Sequence, residues 1–148
     1  MKIYLGADHA GFTLKEKVKK YFDKNKVDYV DMSKKKVDGD DYTDVAFKLG
    51  ERVSAEKVKG ILFCGSGSGV AIAVNKVKGI RAASAYDEET AKLSREHGDS
   101  NILTLSGWKT NSARAKKIVD VWLNTKFSNI ERHKRRIKKI EEYENANV

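Results

Sequence analysis

The sequence predicts an α/β fold, a three-layer domain built on a five-stranded parallel sheet. Short apolar segments alternate five times with segments of helical periodicity. One of them, GILFC at 60–64, is an unbroken apolar run of the kind buried on both faces of a parallel sheet. No proline, repeat or low-complexity tract interrupts the chain, so residues 1–148 read as one domain. Right-handed crossovers would set helices on both faces of the sheet.

The elements follow in order. Residues 2–7 (KIYLGA) form the first strand, and a polar DHAG turn leads to a helix from Phe12 with Leu14, Val18, Tyr21 and Phe22 on one face of a lysine-rich cylinder. Residues 27–32 (VDYVDM) alternate as a second strand, and the charged stretch 33–41 is a loop. Ala46, Leu49 and Val53 mark the second helix. The third strand, 60–64, ends in GSGSG, after which residues 70–74 open a third helix. Residues 80–85 and 101–105 give the fourth and fifth strands, flanking a helix over 87–97. A fifth helix over 112–123 aligns Ala115, Ile118, Val119 and Trp122. Ser128 and Glu131 have capping-box spacing for a final helix with a narrow stripe of Ile137, Ile140 and Tyr143.

Composition narrows the function classes. Lys and Arg number 30 against 21 Asp and Glu, a net charge of +9. The excess is uneven, since residues 109–148 hold 11 basic and 5 acidic side chains. Such a tail suits an anionic partner, but a nucleic-acid module would also need interleaved aromatics and a recognition motif, which are missing. One cysteine excludes an intrachain disulfide, and three histidines with it offer no zinc-site spacing, which makes the cytoplasm the default compartment. No apolar run approaches the roughly 20 residues that span a bilayer, and the N-terminus turns polar too soon for a signal peptide.

In a parallel α/β sheet, ligands bind beyond the carboxyl ends of the strands. Asp8 and His9 follow the first strand, Cys64 and Gly65–Gly69 the third, and His97 comes just before the fifth; the expectation is that these acid/base groups converge on one rim. The glycine loop is not a dinucleotide fingerprint, because Val70 stands where a third glycine or alanine belongs, and it lacks the GK[ST] of a Walker A loop. It offers backbone amides to a phosphate or oxyanion. A lone cysteine is most often core filling, but at a strand end beneath a helix N-terminus amide dipoles favour its thiolate, which suits a base or nucleophile. Taken singly, His97 also reads as a cation complementing a helix C-terminus, and His9 as a turn residue.

The segments DHAGF (8–12), DYTDVA (41–46), FCGSGSGVAIAVNKVKGIRAA (63–83), SREHGDSN (94–101) and ERHKRR (131–136) together resemble the type B ribose-5-phosphate isomerases, a family that includes galactose-6-phosphate isomerase subunits. The resemblance covers the chain in order. It implies a Rossmann-like sheet whose C-terminal helix reaches over a partner in a homodimer or tetramer. It further implies that Cys64 is the enolising base and that His97 helps open the furanose ring. Ser66 would polarise the substrate oxygen. Asp8, His9 and the amides of Gly65, Ser66, Gly67, Ser68 and Gly69 would bind substrate, with Arg132 and Arg136 on the phosphate. A planar guanidinium grips phosphate bidentately, and a four-residue spacing puts both arginines on one helix face. Gly98 replaces the family's usual asparagine, Trp108 an arginine with Lys109 beside it, and Thr43 a proline.

The implied reaction is interconversion of ribose 5-phosphate and ribulose 5-phosphate through a cis-enediolate. It needs a base and an oxyanion cradle, and no metal or redox cofactor. A six-carbon phosphosugar (allose or galactose 6-phosphate) and a non-catalytic phosphosugar-binding role are the alternatives.

Overall fold

The computed structural model describes residues 1–146. The elements run β1 (Ile3–Ala7), α1 (Phe12–Lys24), β2 (Tyr29–Asp31), α2 (Tyr42–Glu56), β3 (Lys59–Cys64), α3 (Ser68–Val74), β4 (Ala82–Ser84), α4 (Glu88–Gly98), β5 (Ile102–Ser106), α5 (Ser112–Asn124) and α6 (Glu131–Ala146). All strand pairs are parallel, in the order β2-β1-β3-β5-β4. The alternating pattern therefore resolves into the expected five-stranded sheet.

Two apolar layers flank it. Leu14, Val18 and Phe22 of α1 pack with Ala91 of α4 and with Ala115, Ile118 and Trp122 of α5 against one face. Ala46, Leu49 and Val53 of α2 pack with Val70 and Val74 of α3 against the other. Every residue of β1 and β5 is buried, as strands covered on both faces must be. The edge strands β2 and β4 are shorter than their apolar runs suggest, because each has a neighbour on one side only and pairs over three residues.

One expectation about local structure is corrected. The Ser128–Glu131 capping box does not form: the Ser128 hydroxyl accepts from the Ile130 amide at 3.2 Å and faces His133 Nδ1 at 2.6 Å, while Glu131 pairs with Lys134. The reciprocal box is at α4, where Asp87 accepts from the Thr90 amide and Thr90 answers the Asp87 amide. The lysines of α1 do not all lie at the surface. Lys15 is fully buried, with Nζ 2.8 Å from Asp31 and donating to the Ser33 carbonyl at 2.6 Å, and Lys19 reaches the same carboxylate at 2.8 Å.

Candidate active site

The chain leaves β1 toward one edge of the sheet and β3 toward the other, so the crevice between their carboxyl ends is the topological switch point. Asp8 directly follows β1, and Cys64 is the last residue of β3. A cleft of about 260 Å³ opens there, lined by Asp8, His9, Tyr42, Cys64, Ser66 and Trp108. The DHAGF turn brings its two polar groups to that cleft because Gly11 sits directly on the backbone of Phe63 and Cys64, where a Cβ could not fit.

The glycine loop is shaped around the thiol. Gly67, with a φ of +82°, takes a conformation other residues resist, and its N–H donates to Cys64 Sγ at 3.2 Å. Its carbonyl is held by the Thr104 hydroxyl at 2.8 Å, and the Gly65 carbonyl by the Ser106 hydroxyl at 2.6 Å. The helix begins at Ser68 rather than Val70, so Ser68 and Gly69 belong to its first turn. The Ser68 amide donates to Ser66 Oγ at 3.1 Å. Two of the five expected cradle amides, those of Gly67 and Ser68, are thus committed within the loop, while the Ser66 hydroxyl proton stays free to point at a ligand. The Tyr42 ring lies across Gly69 and the indole of Trp108 lies against Gly65, so two aromatic walls flank the thiol.

Asp8 is 6% exposed and accepts from the Gly11 amide at 3.0 Å. Burial pushes its carboxyl above the usual range, with that amide opposing. His9 gives its backbone N–H to Asp40 Oδ1 at 2.9 Å and places ring Nδ1 at the same distance from the same oxygen. The Asp40 carboxylate raises the imidazole above its ordinary value. Among the described residues Asp8, His9 and Asp40 are the trio whose ligand atoms could surround a cation, all within 4.8 Å. Asp40 Oδ1 and the Asp8 carboxylate are already engaged by protein donors, which suits a hydrogen-bonded relay better than a metal cage.

His97 is not on this rim. The helix α4 carries the chain from the carboxyl end of β4 back to the amino end of β5, and His97 lies in its last turn, at the opposite end of the sheet from Cys64. A residue just before a parallel strand is necessarily on the amino side. There its ring stacks on buried His133 with centroids 4.3 Å apart and planes tilted by 35°. The Ser128 amide ties the start of α6 to the Glu96 carbonyl at 3.1 Å. Burial holds His133 below the ordinary imidazole range, and the charges of His97, Arg132 and Arg136 add to that. Arg132 and Arg136 are exposed one turn apart, and among the described residues neither has a carboxylate within ion-pair distance. The predicted site residues therefore fall into two groups, Asp8, His9, Cys64 and Gly65–Gly69 at the carboxyl rim and His97, Arg132 and Arg136 at the amino rim.

Sequence reading missed Asp40, Tyr42 and His133 as individual contributors. The paired acids before the tyrosine in DDYTD and the histidine between arginines in RHKRR were the available signals. The replacements at Gly98 and Trp108 have different consequences. At Gly98 there is open space where a side chain would go, whereas Trp108 puts an indole into the cleft wall.

Comparison with known proteins agrees with this geometry. A family model described as Ribose/Galactose Isomerase matches residues 3–140. The chain is similar to the ribose-5-phosphate isomerase B of Mycobacterium tuberculosis, 38% identical over 146 residues, covering 97% of this chain and 90% of that protein. Among solved structures it resembles ribose-5-phosphate isomerase B of Clostridium thermocellum, with 38% identity, full coverage of both chains and a TM-score of 0.96. It also resembles that of Mycoplasma genitalium with bound ribulose-5-phosphate, with 39% identity over 97% of this chain and 96% of the other and a TM-score of 0.92. Because the family match runs from β1 well into α6 and takes in both groups of site residues, the chain belongs to the ribose/galactose isomerase family.

Proposed function

We propose that the protein interconverts ribose 5-phosphate and ribulose 5-phosphate. The observation that carries the proposal is the Cys64 thiol, held by the Gly67 amide on the floor of the switch-point cleft with Asp8 and His9 beside it. A weakly acidic C–H has to be broken, and a thiolate beside amide donors is a base for that task.

In the open-chain aldehyde, Cys64 takes the C2 proton. The S–H bond forms, a C1–C2 double bond replaces the C2–H bond, and O1 becomes an oxyanion. Loop amides with the Ser66 hydroxyl stabilise that charge where it develops. The O2 proton passes to O1, the thiol returns its proton to C1, and C2 becomes the carbonyl carbon of ribulose 5-phosphate. His97 moves a proton during ring opening, Asp8 and His9 orient sugar hydroxyls, and Arg132 and Arg136 hold the phosphate.

These roles need both rims at once, and one chain holds them at opposite ends of the sheet. A homodimer related by a two-fold axis, each carboxyl rim facing its partner's amino rim, completes two identical sites. The exposure of Ile140 at 53% in the single chain supports a partner over α6. No helix among the described residues is long and apolar enough to cross a membrane. A base that works as a thiolate has to stay reduced, which favours the cytoplasm.

The test is a coupled assay with ribose 5-phosphate, allose 6-phosphate and galactose 6-phosphate. The proposal expects the pentose phosphate to be preferred in kcat/KM. Turnover confined to a hexose phosphate would move the substrate, and phosphosugar binding with no turnover would remove the activity.

A further inference from the structure

A second recess, of about 570 Å³, opens at the amino ends of the strands, away from the Cys64 cleft. Lys2, Lys57, Lys59, Arg81 and Arg95 line it. Three of these cations are already answered. Lys2 pairs with Glu56 at 3.3 Å, Arg95 with Asp99 at 2.8 Å, and Arg81 with Asp99 at 3.3 Å and Glu141 at 3.7 Å.

Lys57 and Lys59 are left over. Among the described residues, neither ammonium has a carboxylate within ion-pair distance. Lys59 is half-buried at the first position of β3, and its Nζ lies 5.4 Å from the Trp122 ring centroid. Burial and the nearby Arg95 guanidinium push this ammonium below its ordinary value, with the Asp99 carboxylate opposing. A partly desolvated cation set beside another cation is costly unless an anion joins them. Lys57 ends α2 in a left-handed conformation with φ of 53°, which directs the chain from α2 into the recess wall.

We propose that this amino-rim recess is a second anion site, distinct from the phosphate site assigned to Arg132 and Arg136, that takes a phosphate monoester. Two ammonium groups outside any ion pair match the charge of about −1.5 to −2 that such an ester carries at pH 7. The Asn101 side chain stiffens the recess by donating to the Gly79 carbonyl at 2.8 Å and accepting from the Arg81 amide at 2.8 Å. The Ser54 hydroxyl fixes the Lys78 carbonyl at 2.7 Å on the same wall. These bonds fix the wall formed by the end of α2 and the turns leading into β4 and β5.

The experiment is a titration of the 15N-labelled protein with inorganic phosphate at constant ionic strength, following the amides of Lys59, Gly60 and Asn101. Saturable shifts at these amides are expected. Lys59→Met should weaken the fitted affinity by about tenfold or more, the loss of one charge-assisted contact. Lys57→Ala, at an exposed position, should weaken it as well and decides the matter if Lys59→Met does not fold. The Arg132→Ala/Arg136→Ala double variant should leave these shifts intact, which separates the recess from the isomerase phosphate site. The proposal is overturned if sodium chloride at matched ionic strength gives the same shifts, if the affinity survives loss of the lysines, or if the arginine variant abolishes the response.

Discussion

The Gly67 amide hydrogen points at the Cys64 sulfur across 3.2 Å, and the Gly67 carbonyl on the other side of the same residue is pinned by Thr104. The β3–α3 loop thus holds its donor on the thiol before any ligand arrives. Cys64→Ser keeps the size of the side chain and should leave the fold intact while lowering kcat by roughly 10²–10⁴, the usual contribution of a positioned base. Steady-state kinetics with a thermal melt check this, and turnover near that of the native enzyme would remove Cys64 from the chemistry.

His9 and Asp40 make a pair whose titration has a definite sign. The carboxylate stabilises the imidazolium, so His9 holds its proton to a higher pH than a free histidine. Asp40→Asn removes the negative charge and should bring the His9 midpoint down toward 6.5. The His9 ring signals in an NMR pH titration report this directly, and an unchanged midpoint would mean that the contact does not control the charge.

The buried Lys15–Asp31 pair should set the acid limit of stability. Burial alone would raise Asp31, but hydrogen bonds from Lys15 and Lys19 more than offset it and hold the carboxyl below its usual range. A carboxylate lowered in the folded state contributes fully above the ordinary value of about 3.9 and loses that contribution as pH falls through the folded one. Asp31→Asn removes the buried counter-charge of the Lys15 ammonium and should cost about 3–5 kcal/mol in urea unfolding at neutral pH. A cost under about 1 kcal/mol would show that the pair is not a structural keystone.

The phosphate contacts should appear in KM. The phosphate is remote from C1 and C2, so its contacts are similar in ground and transition states. Arg132→Ala and Arg136→Ala should each raise KM roughly 10- to 150-fold with a smaller effect on kcat. Lys138, on the same helix but paired with Glu142 at 3.8 Å, is the control. If Lys138→Ala is as damaging, α6 is acting only as a basic surface.

How much of this was legible depended on the range of the interactions. The apolar run into Cys64 and the glycine loop are local patterns, and they appear at the places the sequence indicated. The capping box failed because Ser128 had a better use on the Ile130 amide and the buried His133 ring, a contact decided by how α6 docks on α4. The burial of Lys15 is not legible within α1, because Asp31, which meets it, lies on the neighbouring strand. His97 was set on the wrong rim for a different reason. Its place just before β5 already fixed the amino side, but the chemistry of the histidine outweighed the direction of the helix that carries it.

That displacement leads to the central claim, that each site is assembled from the carboxyl rim of one chain and the amino rim of another. It is tested by mixing two disabled chains, Cys64→Ser and the Arg132→Ala/Arg136→Ala double variant, unfolded and refolded together at equal amounts. Random pairing makes half of the dimers mixed, and each of these has one site with a native Cys64 facing native arginines. The account predicts recovery of about a quarter of native activity at substrate levels below the KM of the arginine variant. Activity no higher than the average of the two separately refolded variants would place Cys64 and the arginines in the same chain's site, contradicting the assembly.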